Sequence, residues 1–278
     1  MKSEITGLTD WLKTPPGIYL LDWEHAHFDL AVGDMFGYHA LQLGLPELDA
    51  LRTNRMPHKW LALSSAQAPH FPLTVASNLQ HLTDAAPTSS PRAALYTDSS
   101  ALPFPESSLD LVALPHTLEL EGDPHSALRE VARVLRPEGR VVISGFNPAS
   151  LWGLRQQRDQ LKKRFGQGSL FLPEAGEYIG YWRLRDWLRL FDFEVESAQF
   201  GCYRPALTNQ KWLDRFEWMD RVGKRWWPIF GAVYFLVAVK HVRGMRLLEP
   251  SWKAHKAPAA VPVVVASKKP ADCVKISG

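Results

Sequence analysis

The chain has 278 residues, 46% of them hydrophobic, and a formal net charge of +3 at pH 7. That supplies one sizeable core with further segments around it, and no run of about 18 apolar residues calls for a membrane-spanning helix. The two cysteines, Cys202 and Cys273, lie far apart and form no metal-spacing pattern, which excludes a disulfide framework and fits a reduced, cytoplasmic protein.

The opening MKSEITGLTDWLKTPPG lacks the apolar core of a secretion signal. Residues 18–35 then place Leu21, Phe28, Val32 and Met35 at helical spacing, predicting a lead-in helix and an N-terminal segment over 1–35. His25 and His27 are expected on its solvent side, and no metal site is predicted. A strand is predicted from Tyr38 to Leu43, ending at Gly44, followed by a short helix over PELDALR (46–52) and a second strand at 60–65. Residues 66–92 are rich in Pro, Ser, Thr and Ala and read as a long connection, with at most one element at 73–82.

The organisation sharpens from residue 93. AALY and LDLVAL (109–114) are short buried strands, and DPHSALREVARVL is a helix with Asp123 at its N-cap and Pro124 at its first position. Its apolar stripe is Leu128, Val131, Ala132 and Leu135, and Pro137 to Gly139 are expected to stop it. RVVISGF is nearly all apolar, as suits a parallel strand buried on both faces. Strand, helix and strand in this rhythm predict an α/β fold: a Rossmann-like, mostly parallel sheet with helices on both faces. Further on, the sequence predicts a basic amphipathic helix at 151–165, a helix in LRDWLRLF, a strand at 194–200 and a last strand at 232–240. In the stretch 210–230, Trp212, Phe216, Met219, Gly223 and Trp226 form an apolar seam, read as a helix packed on the sheet. Residues 240–278 carry eight Lys/Arg against Glu249 and Asp272, a net +6 that leaves −3 for the rest. Residues 248–278 are expected to be a solvated tail.

DSSALPFPESSLDLV (98–112) and HTLELEGDPHSALREVARVLRPEG (116–139), followed by RVVISGF, together resemble the central region of class I S-adenosylmethionine-dependent methyltransferases. The match is nearly unbroken from Asp98 to Gly145, and it is nearest the branch of ubiquinone- and menaquinone-type methyltransferases. The resemblance implies a seven-stranded sheet with an antiparallel closing strand, a methyltransferase domain over 36–243, and S-adenosylmethionine across the carboxyl ends of the first and fourth strands. Asp98 would accept the adenine amino group, with the Ser99 backbone beside it. Gly44 falls at the family's first glycine, Gln42 where its acid stands, and Pro46 where its second glycine stands. Gln42 can still hydrogen-bond the cofactor's ammonium, whereas Pro46 has no N–H to offer. The ribose-binding acid after the second strand is replaced by Ser64 and Ser65. His116 is the catalytic candidate, an imidazole near the transferable methyl that can take a proton near neutral pH, with Glu119 placed to orient it.

Asn147-Pro148 follows the fifth strand and reads as a turn. Segments 148–182 and 205–230 are the lid candidates. A small-molecule acceptor is favoured over nucleic acid or a membrane surface, which the basic helix and tail keep as secondary readings. The alternative is a non-catalytic binding or scaffold protein that keeps the fold with an impaired cofactor loop.

Overall fold

The computed structural model describes residues 7–64, 95–165, 170–173 and 177–241. The expectations for 73–82 and for the tail at 248–278 lie outside the described residues. Seven strands, β1 (His39–Leu43), β2 (His58–Leu63), β3 (Leu95–Tyr96), β4 (Leu109–Pro115), β5 (Leu135–Phe146), β6 (Phe193–Gly201) and β7 (Val233–Lys240), form one sheet in the order β3-β2-β1-β4-β5-β7-β6. β1 to β5 pair in parallel, and β7 runs antiparallel between β5 and β6. Strand order reverses between β1 and β4, so their carboxyl ends open the crevice where such sheets bind ligands.

The helices are α1 (Leu8–Leu12), α2 (Pro15–Gly33), α3 (Thr117–Leu120), α4 (Pro124–Val134), α5 (Leu151–Arg164), α6 (Tyr181–Leu190), α7 (Gln210–Arg215) and α8 (Trp218–Trp226). α4 begins where the sequence says it should: the Asp123 side chain accepts the N–H of His125 and of Ser126, both at 3.1 Å. It buries Ala127, Leu128, Val131 and Val134 in one core layer, together with Leu184 and Leu188 of α6. α2 belongs to the other layer and buries Leu20, Glu24, Phe28 and Val32, a four-residue repeat in which one member is a carboxylate. Phe28 meets Phe235 of β7 edge to face at 4.9 Å, so Phe28→Ala would cost about 3–5 kcal/mol.

Three expectations need correction. No helix forms over 46–52; the chain there is a run of turns that buries Leu48, Ala50 and Leu51. α4 stops at Val134, and Pro137 to Gly139 lie inside β5 as a register shift, with Glu138 at φ 63°. The seam at 210–230 is broken between α7 and α8: Leu213 and Gly223 are buried, but Trp212 and Trp226 face solvent. Asn147 does make a turn, and its amide nitrogen donates to the carbonyls of Ile229 and Gly231.

Candidate active site

β1 delivers the first site loop. Gly44 takes φ +71°, a left-handed conformation that costs glycine little, and its N–H donates to Ala62 at 2.8 Å. The buried Gln42 side chain then organises residues 44–50. Its Nε2 lies within reach of the carbonyls of Gly44 (3.2 Å), Leu45 (3.0 Å) and Leu48 (2.6 Å), and its Oε1 accepts the N–H of Ala50 at 2.9 Å. Together with the backbone bonds from Leu48 N–H to Leu45 and from Ala50 N–H to Leu48, these contacts hold 44–50 as turns, and they leave Gln42 facing its own loop and not the crevice.

β4 delivers the second loop. Thr117 Oγ1 donates to the Leu43 carbonyl, tying the ends of β1 and β4 together. Between them opens a pocket of about 170 Å³ whose lining includes Gly44, Ser64, Ser99, Thr117, Leu120 and Glu121. Ligand pockets typically hold ~300–1,000 Å³, so a whole nucleoside cofactor requires this one to widen. Ser99 is buried against the pocket. Asp98 beside it is exposed, and its carboxylate accepts the N–H of Ser100 at 3.0 Å, which holds its pKa below the usual range. The one ionisable side chain among the described lining residues is Glu121. Burial raises its pKa and nearby Asp98 adds to this, while Ser99 pulls it back.

His116 is the last residue before α3 and takes φ 51°, a costly conformation for a side chain of this size. It is 1% exposed and absent from the pocket lining. Its Nδ1 lies 2.9 Å from Glu119 Oε2, and its Nε2 lies 3.0 Å from Glu24 Oε1, a contact too bent to be a hydrogen bond. Burial alone would lower the imidazole pKa; the Glu24 charge and the Glu119 hydrogen bond outweigh it and raise it to about 10. Burial pushes Glu119 up in turn, although His116 and the Phe146 N–H, donated to Glu119 Oε1, oppose the rise. The imidazole therefore holds its proton at neutral pH.

A further pocket of about 240 Å³ opens at the end of β5 beneath α5, lined by Phe146, Asn147, Gln156, Gln160, Glu177 and Tyr178 among others. Phe146 lines this pocket, and its ring lies 4.4 Å from that of the buried His116. Sequence reasoning placed Gly44 and Ser99 on the first pocket and did not find Thr117, Glu121 or Glu24. Glu24 carried a signal, a carboxylate in phase with Leu20 and Phe28 on the buried face of α2.

Comparison with known proteins agrees with this geometry. Residues 74–143 match the methyltransferase domain family model. The chain is 43% identical over 101 residues to the uncharacterized protein YafS of Escherichia coli K12, covering 36% of this chain and 39% of that one. It is 33% identical over 128 residues to the 27-O-demethylrifamycin SV methyltransferase of Amycolatopsis mediterranei, covering 44% and 43%. The chain thus spans about two fifths of the length of the curated relatives it matches. In fold it is similar to a structure from the complex of the Haloferax volcanii Trm112 methyltransferase activator with a methyltransferase: TM-score 0.52, 18% identity, 85% of this chain and 96% of the other. The matched segment, the sheet order and the left-handed glycine at the end of β1 make the chain similar to class I S-adenosylmethionine-dependent methyltransferases.

Proposed function

We propose that the protein transfers a methyl group from S-adenosylmethionine to a small-molecule acceptor. The observation that carries this reading is the polar pocket at the carboxyl ends of β1, β2 and β4, rimmed by left-handed Gly44. The residues present fit the cofactor in place and in polar groups: a Cβ-free backbone at Gly44, hydroxyls of Ser64, Ser99 and Thr117, and one carboxylate, Glu121. Bound there, the cofactor supplies a methyl group on an already activated sulfonium, so the protein's main task is alignment. Gly44, Ser99 and Asp98 hold the cofactor. Gln42 acts through the loop it shapes, and Glu121 takes the hydrogen-bond donors that the missing acid after β2 would have taken.

The acceptor enters beside Phe146 and Tyr178. The lining there is rich in amides and has no Lys or Arg among the described residues, which favours a neutral hydrogen-bonding molecule over a phosphorylated one. His116 acts at one remove from the reaction. As a protonated imidazole between two carboxylates it fixes the ends of β4 and β5 to α2, and with them the wall that positions the acceptor. Calorimetric titration with S-adenosylhomocysteine tests the reading. Binding is expected in the micromolar range or weaker, since Pro46 removes an N–H from the loop. No heat at about millimolar ligand would overturn it.

A further inference from the structure

The stretch from α7 to the start of β7 is the part of the surface that the methyltransferase reading leaves unused. Lys224 to Phe230 are exposed without interruption, including Trp226 (71%), Trp227 (54%), Ile229 (44%) and Phe230 (55%), and Trp218 nearby is 54% exposed. The inner side of α8 is fixed. Gly223 sits on the Tyr203 ring, where a Cβ would come within 2.3 Å. Asp220 accepts from Tyr19, from Arg204 at 2.9 Å and from the Tyr203 N–H at 3.2 Å. The tryptophans therefore project from an anchored element.

From this surface we infer a docking site for the face of an anionic lipid bilayer. Exposed Lys211, Arg215, Arg221, Lys224 and Arg225 are interleaved with the aromatic residues, and Asp220, one of the three acids in 210–230, is turned inward. Basic residues alternating with tryptophan match the two layers of a membrane interface, phosphate above and acyl chain below. The indole N–H groups point the same way. Buried Trp11 and Trp152 each donate to a backbone carbonyl at 2.8 Å, whereas Trp218, Trp226 and Trp227 have no such acceptor among the described residues. An interfacial indole finds one in the lipid head groups.

Other occupants fit less well. Protein interface cores are depleted in lysine, and a second copy across a two-fold axis would bring the same cations together. Nucleic acid needs more positive charge than this stretch carries, with five Lys/Arg against three acids.

The test is co-sedimentation of the full chain with vesicles of phosphatidylcholine alone and of phosphatidylcholine mixed with phosphatidylglycerol, with tryptophan emission read in parallel. Binding to the mixed vesicles is expected, weakened by salt and accompanied by a blue shift. The pair Lys224→Gln with Arg225→Gln should weaken it by on the order of tenfold, and Trp226→Ser with Trp227→Ser should abolish the blue shift. All four residues are exposed, so the thermal midpoint of each variant should match the parent. Residues 240–278 add their own positive charge, which is why the comparison is made between full chains. No binding by the parent, unchanged binding in both double variants, or association only with RNA or with a second copy would each overturn the inference.

Discussion

Glu24 of α2 and His116 at the end of β4 meet in the core, Oε1 to Nε2 at 3.0 Å, with both side chains fully buried. The contact joins residues far apart in sequence, and Glu119 holds the opposite edge of the ring. Removing one partner leaves a buried charge without compensation, which typically costs ~3–5 kcal/mol. His116→Ala should therefore lower the free energy of unfolding by about that amount, read from denaturant midpoints at constant slope. A loss under about 0.5 kcal/mol would show that the ring carries no charge in the core.

The same group sets a pH dependence. The folded pKa of His116 is raised from 6.5 to about 10, so the folded state keeps a proton that the unfolded chain releases between these values. Its contribution is complete below pH 6.5 and fades as pH rises through about 10. Glu119, also raised, acts in the same direction. Melting temperatures measured from neutral to alkaline pH should fall in the parent and fall less steeply in His116→Gln. Parallel curves would refute the assignment.

Gln42 gives a prediction that separates sequence logic from structure. The family pattern places an acid at this position, so Gln42→Glu looks like a restoration. In the fold, the new carboxylate would face the carbonyls of Gly44, Leu45 and Leu48 with no hydrogen to donate. The variant should lose about 1–3 kcal/mol or more of stability and gain no cofactor affinity. Tighter binding of S-adenosylhomocysteine with unchanged stability would reverse this picture.

Glu121 gives a prediction about the ligand. Burial raises its pKa, and its ionised form is the better acceptor for cofactor hydroxyl or amino hydrogens. Affinity for S-adenosylhomocysteine should rise with pH as the group ionises, and Glu121→Gln should flatten the profile. A profile unchanged by the substitution would remove Glu121 from the site.

Gly145 tests the packing behind the same wall. A Cβ there would come within 2.4 Å of the Tyr234 hydroxyl and 2.9 Å of Glu119 Oε1. Gly145→Ala should cost about 1–3 kcal/mol and weaken acceptor binding more than cofactor binding. Equal losses for both ligands, compared by titration, would count against a separate acceptor wall.

Much of the architecture was legible because local signals and burial agree. β4 and β5 are apolar runs that suit strands covered on both faces, and Asp123-Pro124 starts α4 by capping chemistry that acts within three residues. The run from Asp98 to Gly145 therefore pointed to the α/β sheet and to the likeness with methyltransferases from sequence alone. The helix expected at 46–52 gave way to turns held in part by an amide from β1, a partner that spacing does not reveal. The apolar seam at 210–230 failed for a related reason: tryptophan at helical intervals marks amphipathicity, but which side meets the core depends on where Tyr203 and Arg204 stand.

The site divides along the same line. Sequence placed Gly44 and Ser99 on the pocket, because both follow strand ends whose position the fold class fixes. It marked His116 as reactive because imidazole is the side chain that titrates near neutral pH. Only the tertiary structure showed that α2 brings Glu24 against that ring and Glu119 closes its other edge. Burial between two carboxylates makes the protonated imidazole the stable form, which is the physical basis for the proposal that His116 positions the wall and does not act as a base.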